Sequence, residues 1–120
     1  MQRLCMAVDL KDAPDLIDSY RRYHQHANFS PDVATGLKKV GVIDMEIFVV
    51  ENRLFMILEV DDEFSFESKI SYDNKNVIIR EWELLMWSFQ KSLPNSKPAE
   101  KWRTMEKIFS LSEYNIQRTD

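Results

Sequence analysis

The 120-residue chain has a single cysteine, Cys5, so no internal disulfide is available to it. It has no excess of positive charge either: 16 Lys and Arg stand against 20 Asp and Glu, a formal net charge of −4. That balance argues against nucleic acid or an anionic membrane as the main partner. No apolar run is long enough to cross a bilayer. The first residues are strand-like and soon meet charges, unlike a signal peptide, so a cytoplasmic location is the default expectation. The sequon Asn28-Phe29-Ser30 then carries no meaning. Generic chemical motifs are missing as well: there is no GxGxxG, P-loop, paired CxxC or HExxH. The two histidines, His24 and His26, are two apart and point to different helix faces, which makes them a poor metal pair. Neither a metal nor a cofactor is expected.

What is present is a hydrophobic content of 44%, enough for a folded core in a chain of this length. One domain over residues 1–112 is expected, followed by a loosely ordered polar tail, 113–120. Arg3 to Leu10 alternates, with Leu4, Met6, Val8 and Leu10 on one face, and reads as a strand in which Cys5 is a small buried thiol. Asp12 is placed to cap a helix, with Pro14 in its first turn and an end near Ala27. Ser30 caps a second helix opened by Pro31-Asp32, closed by Lys38-Lys39 in its last turn and stopped by Gly41. Val42–Val50 and Arg53–Asp61 read as a hairpin around Glu51-Asn52. That loop sets Val49 against Leu54, Ile47 against Met56 and Met45 against Leu58. One hairpin face is then apolar, and the other mixes Phe48, Val50, Phe55 and Ile57 with carboxylates. A short helix is expected over Glu63–Ser71. Asn76 caps a long one over Val77–Lys91, with Ile78, Trp82, Leu85 and Phe89 as its stripe. Ser92–Ala99 reads as a surface loop, and Met105–Leu111 as a last strand.

The order strand, helix, strand, strand, helix, strand is that of the α+β, ferredoxin-like split βαβ arrangement. Its helices cover one sheet face. The mixed hairpin face is the open one, and closing it on a second copy gives a homodimer, the dimeric α+β barrel.

Tyr20-Arg-Arg-Tyr-His24 is the stretch with chemical promise. Tyr20 and His24 share a helical face, and an imidazole beside a phenol can supply acid–base chemistry near neutral pH. The same spacing fits a partly buried histidine hydrogen-bonded to its neighbours, and spacing does not separate the two. Glu46 and Glu59 on the open face fit pocket carboxylates and solvated or interface charges about equally. Trp82, Trp87 and Trp102 fit the core or an interface, and one of them a stacking wall for a ligand ring.

The chain also resembles the L-rhamnose mutarotase family. The resemblance rests on Tyr20 to His24, the Pro31-Asp32 pair, the Gly41 stop, the Asn-Arg-Leu-Phe-Met run at Asn52–Met56, and Glu-Trp-Glu-Leu-Leu-Met at Glu81–Met86. It implies a dimeric α+β barrel that interconverts sugar anomers without metal or cofactor. Tyr20 and His24 would act at the anomeric end, with Trp82 on the sugar. Well-known members carry Trp-Trp where this chain has Glu81-Trp82, and often Trp before the Pro-acid pair where Ser30 stands here. Both changes touch the pocket wall, so Glu81 joins Trp82 as a substrate-binding candidate and the preferred sugar stays open. The readings are an L-rhamnose mutarotase, an L-fucose mutarotase, or a non-catalytic barrel that binds a small metabolite. A cofactor-independent oxygenase is an analogy of shape alone.

Overall fold

The computed structural model describes residues 1–98 and 100–114. In chain order these hold strand β1 (Gln2–Leu10), helices α1 (Pro14–Tyr23) and α2 (Pro31–Lys39), strands β2 (Val42–Val50) and β3 (Arg53–Val60), helices α3 (Phe66–Asn74) and α4 (Val77–Phe89), and two short strands, β4 (Gln90–Lys91) and β5 (Arg103–Thr104). The antiparallel sheet runs β2-β3-β1-β4, with β5 also on β1. This is the α+β, ferredoxin-like order expected from the sequence.

β1 is the central strand because its Leu4, Met6, Val8 and Leu10 need cover on one face. They share that face with Leu54, Met56 and Leu58 of β3, the partners of Val8, Met6 and Leu4. The hairpin register is the expected one: Val49 faces Leu54, Ile47 faces Met56 and Met45 faces Leu58. Val8, Leu10 and Leu54 form one core with Tyr20, Met86 and Phe89 of α1 and α4. Val42, Leu58 and Val60 form a second, with Leu37 and Phe64 against it. Each fully buried Leu or Val contributes about 1.5–3 kcal/mol, so these two clusters hold the helix layer to the sheet.

The helix signals hold in most places. The Ser30 hydroxyl accepts from the Val33 N–H, and the Asn76 side chain from the Ile79 N–H. Gly41 has φ +104°, and a side chain there would run into the Asp61 carboxylate, so the stop after α2 requires glycine. Several expectations fail. Pro14 fixes the first residue of α1, which makes Ala13 the cap and leaves Asp12 one residue too early. The helix ends at Tyr23, not Ala27, because the Asn28 amide reaches back to the Arg22 carbonyl at 2.8 Å and folds 24–29 into turns. α3 starts at Phe66, capped by Ser65, and runs to Asn74. On α4 it is Ile79 that is buried, while Ile78 is exposed. Cys5 is half-buried rather than enclosed.

The last strand differs most. Instead of Met105–Leu111, the fourth sheet position is filled by two fragments that flank a loop. Gln90 and Lys91 pair with Leu10 and Asp9, and Arg103 and Thr104 with Ala7 and Met6. The Met105 N–H donates to the Cys5 carbonyl at 2.7 Å, and the described chain makes no further strand. Ile108 is 89% exposed, so the apolar pattern of this segment is not satisfied by its own fold. Ala99, and residues 115–120 of the expected polar tail, lie outside the described residues. No helix among the described residues is long and apolar enough to cross a membrane.

Candidate active site

A cavity of about 190 Å³ lies between the helix layer and the covered face of the sheet. Met6, Met45 and Met56 form its floor, and Trp82 and Phe29 part of its wall. Thioether and aromatic side chains give it an apolar lining that adapts to shape. Its polar groups are few: Tyr20 and His24 from α1 and the turn after it, Gln90 from β4, Glu83 from α4, and Lys69 and Asp73 from α3. An apolar cleft with a few converging polar groups is the usual form of a small-molecule site.

Tyr20 and His24 meet because α1 ends between them. The His24 N–H bonds to the Arg21 carbonyl, three residues back, at 3.1 Å. The Tyr20 carbonyl, which a continuing helix would have given to that N–H, is approached by His24 Nδ1 at 2.8 Å instead. A carbonyl oxygen only accepts, so Nδ1 carries the proton and Nε2 presents its lone pair. The two rings stack with centroids 4.3 Å apart and planes 30° from parallel. Phe29 and Trp82 close the other sides of the imidazole, with centroids at 5.6 Å and 6.0 Å. Burial among these rings lowers the His24 pKa below its ordinary 6.5, against an opposing pull from the hydrogen bond to Tyr20. The imidazole is therefore neutral at physiological pH.

Tyr20 is 4% exposed. Its hydroxyl accepts from Gln90 Nε2 at 3.2 Å. Burial pushes its pKa up to about 12; the Gln90 contact opposes the rise and the negative charge of Glu83 adds to it. The phenol is protonated throughout the physiological range. The site thus sets a neutral base and a neutral proton donor side by side in a largely apolar cleft.

Trp82 packs edge-on against Phe29, with centroids 5.0 Å apart, and against Tyr23 at 6.1 Å. It and Trp102 line the cavity, while Trp87 lies under the Lys101 ammonium, 5.2 Å from its centroid. Glu81 is exposed and does not line the cavity. Glu46 and Glu59 belong to the other side of the sheet, where Glu59 pairs with Arg3 at 3.4 Å. The cavity carboxylates are Glu83 and Asp73, and Asp73 is held by Lys69 at 2.6 Å. Sequence reasoning missed these and Gln90, although a signal was there. Trp82, Met86 and Gln90 are four apart, which sets them in one row with Ile79 and Glu83 beside it. No group of three or more His, Cys, Asp or Glu side chains suited to a metal ion occurs among the described residues.

Comparison with known proteins gives consistent matches. The sequence model described as L-rhamnose mutarotase matches residues 3–111. An L-fucose mutarotase of Xanthomonas campestris pv. campestris is 42% identical over 113 residues, 94% of this chain and 90% of that protein. Among solved structures, an L-rhamnose mutarotase of Formosa agariphila superposes with a TM-score of 0.64 at 21% identity, covering 92% of this chain and 99% of that one. A dimeric ferredoxin-like protein from an uncultured marine organism gives a TM-score of 0.54 at 16% identity, over 90% and 91% of the two chains. These two structural likenesses concern the fold.

Proposed function

The chain belongs to the L-rhamnose mutarotase family, and from that premise we propose that it is an isomerase interconverting the α and β anomers of L-rhamnose or a related 6-deoxy sugar, with Tyr20 and His24 as its acid–base pair. The observation that carries the assignment is the stacked pair itself, one neutral base and one neutral acid opening on the same cavity. Anomer exchange needs two proton transfers. The anomeric hydroxyl loses a proton and the ring oxygen gains one as the ring opens to the aldehyde. Rotation about C1–C2 and closure on the other face reverse both transfers. Positioned acid–base groups accelerate such steps by roughly 10²–10⁴-fold. Trp82 offers an apolar face to the sugar's C–H groups. Glu83 and Asp73 are the cavity carboxylates within the same lining, suited to accept from sugar hydroxyls. Glu81 is proposed to reach a sugar only at the mouth of the cleft, given its exposure. The route uses no metal and no cofactor.

A second substrate is favoured by a specific observation. The 42%-identical relative is an L-fucose mutarotase, and Glu81 stands where the resemblance to L-rhamnose members expects tryptophan. L-fucose is therefore the alternative sugar. Exchange NMR of each sugar with the protein tests both readings. Accelerated α/β exchange of L-rhamnose or L-fucose over buffer is expected. Binding without acceleration would leave a non-catalytic binding domain instead, and neither effect would remove the reading.

The proposal includes a homodimer closed over the mixed sheet face, supported by the exposure of Phe48 and Val50. It also includes a cytoplasmic location, which suits a chain with one free thiol. Cell fractionation that recovered the protein elsewhere would remove that last part.

A further inference from the structure

Gln90 is a residue the proton-transfer scheme has not used. It is 5% exposed, and its position is fixed from two sides. It follows the last residue of α4 directly, and its backbone pairs with Leu10 on the central strand. Its side chain enters the cavity and donates from Nε2 to the Tyr20 hydroxyl at 3.2 Å. Of the two ends of an amide, the donating end faces the phenol. A hydroxyl that accepts this bond keeps its own proton free to turn elsewhere, and the cavity is the open side. Had the carbonyl end faced Tyr20, the phenol proton would have been taken.

We infer that Gln90 is a positioning residue that fixes the direction of proton transfer: it holds the Tyr20 hydroxyl as an acceptor, so that Tyr20 is the acid at the sugar ring oxygen and His24 Nε2 the base at the anomeric hydroxyl. The inference rests on the Tyr20/His24 reading above. In the opening step the Tyr20 proton moves to the ring oxygen as the C1–O5 bonding pair goes to that oxygen. The anomeric O–H proton passes to His24 Nε2, and its bonding pair forms the C1=O bond. The resulting phenolate stays hydrogen-bonded to the Gln90 amide and lies beside the imidazolium. Closure on the other face returns the C5 hydroxyl proton to Tyr20 and the imidazolium proton to O1, so both groups regain their starting state. The Gln90 bond opposes the upward push of burial on the Tyr20 pKa, which is the direction an acid needs. The other charged or titratable groups that line this cavity are Glu83 from α4 and the Lys69–Asp73 pair from α3; the sheet contributes none.

The test has two parts. On the wild-type protein, ¹⁵N NMR of the imidazoles at pH 8 is expected to show His24 neutral, protonated at Nδ1 and bare at Nε2. An Nε2–H tautomer or an imidazolium at that pH would overturn the inference without any variant. Gln90→Met and Gln90→Glu are then compared by sugar exchange NMR. Gln90→Met is expected to lower kcat about 10–100-fold, within the range of positioned acid catalysis, with KM within about twofold. In Gln90→Glu at pH 8 the carboxylate accepts the phenol proton, so kcat falls at least as far. Wild-type kcat in Gln90→Glu at pH 8, or a loss in Gln90→Met confined to KM, would overturn the inference. Tyr20→Phe and His24→Gln are run alongside. If they lose exchange while both Gln90 variants keep it, this inference alone fails. If they keep it, the acid–base pair fails first.

Discussion

Phe48 and Phe55 stand directly opposite each other across the β2–β3 ladder, on the sheet face that no helix covers. Phe48 is 51% exposed, and Val50 beside it is exposed too. An exposed ring facing a half-buried one is an unfavourable surface in an isolated chain and a good centre for an interface. Light scattering at micromolar concentration is expected to give a dimer, and Phe55→Asp or Phe48→Asp to shift it toward monomer. A monomeric wild type would contradict the closed sheet face.

His24 is expected to set the acid side of the pH dependence. Its folded pKa lies below 6.5, chiefly through burial. The base form is therefore present at neutrality, and kcat/KM is expected to fall on the acid side through a midpoint below 6.5. The same shift has a stability sign. The unfolded chain binds the proton more readily, so stability decreases as pH falls through and below 6.5. His24→Gln is expected to lose on the order of 10²–10⁴-fold in exchange rate, along with that limb. A rate profile unchanged in His24→Gln would make the imidazole structural.

Trp82 is expected to act through binding. It packs on Phe29 and Tyr23 and presents the rest of its ring to the cavity. An aromatic contact of about 1.4 kcal/mol, a factor of about ten, that holds substrate and transition state alike appears in KM. Trp82→Ala should raise KM about tenfold with a smaller change in kcat, and Trp82→Phe should do less. Steady-state exchange rates across a sugar titration check this, and an effect confined to kcat would place Trp82 in the chemistry instead.

Metal removal should change nothing. The proposed route moves two protons between side chains that the chain itself supplies. Dialysis against a chelator is expected to leave the exchange rate unaltered. Loss of activity restored by a divalent ion would require a different mechanism.

Much of this fold was legible because its signals are local. The hairpin register follows from a two-residue loop and a period of two, and Ser30, Pro31 and Gly41 mark α2 through backbone geometry. The spacing of Tyr20 and His24 puts them on one helical face, although their contact arises from a helix end and not from a continuous helix. The reading fails where a specific side-chain bond or a long-range pairing decides. Asn28 ends α1 by reaching the Arg22 carbonyl, and no pattern in Tyr20–Ala27 announces that bond. Met105–Leu111 has an apolar strand pattern, but pairing with β1 stops at the Met105 N–H. The helix expected over Val77–Lys91 ends at Phe89 instead, and Gln90 opens β4, which carries its amide to the Tyr20 hydroxyl.

The central place of β1 has a kinetic consequence. The nearest β3 partner of this first strand, Arg53 opposite Asp9, lies 44 residues along the chain. Its other neighbours, at Gln90–Lys91 and Arg103–Thr104, come later still. During synthesis β1 leaves the ribosome before its partners and must wait, with Leu4, Met6, Val8 and Leu10 uncovered, until the β2–β3 hairpin has closed around Glu51 and Asn52. Non-local pairing of this kind slows folding and prolongs exposure of the unpaired edge. The hairpin is the piece whose pairing is local, and the docking of β1 onto it is expected to be the slow step, the one that brings Met6 to Met45 and Met56 on the cavity floor.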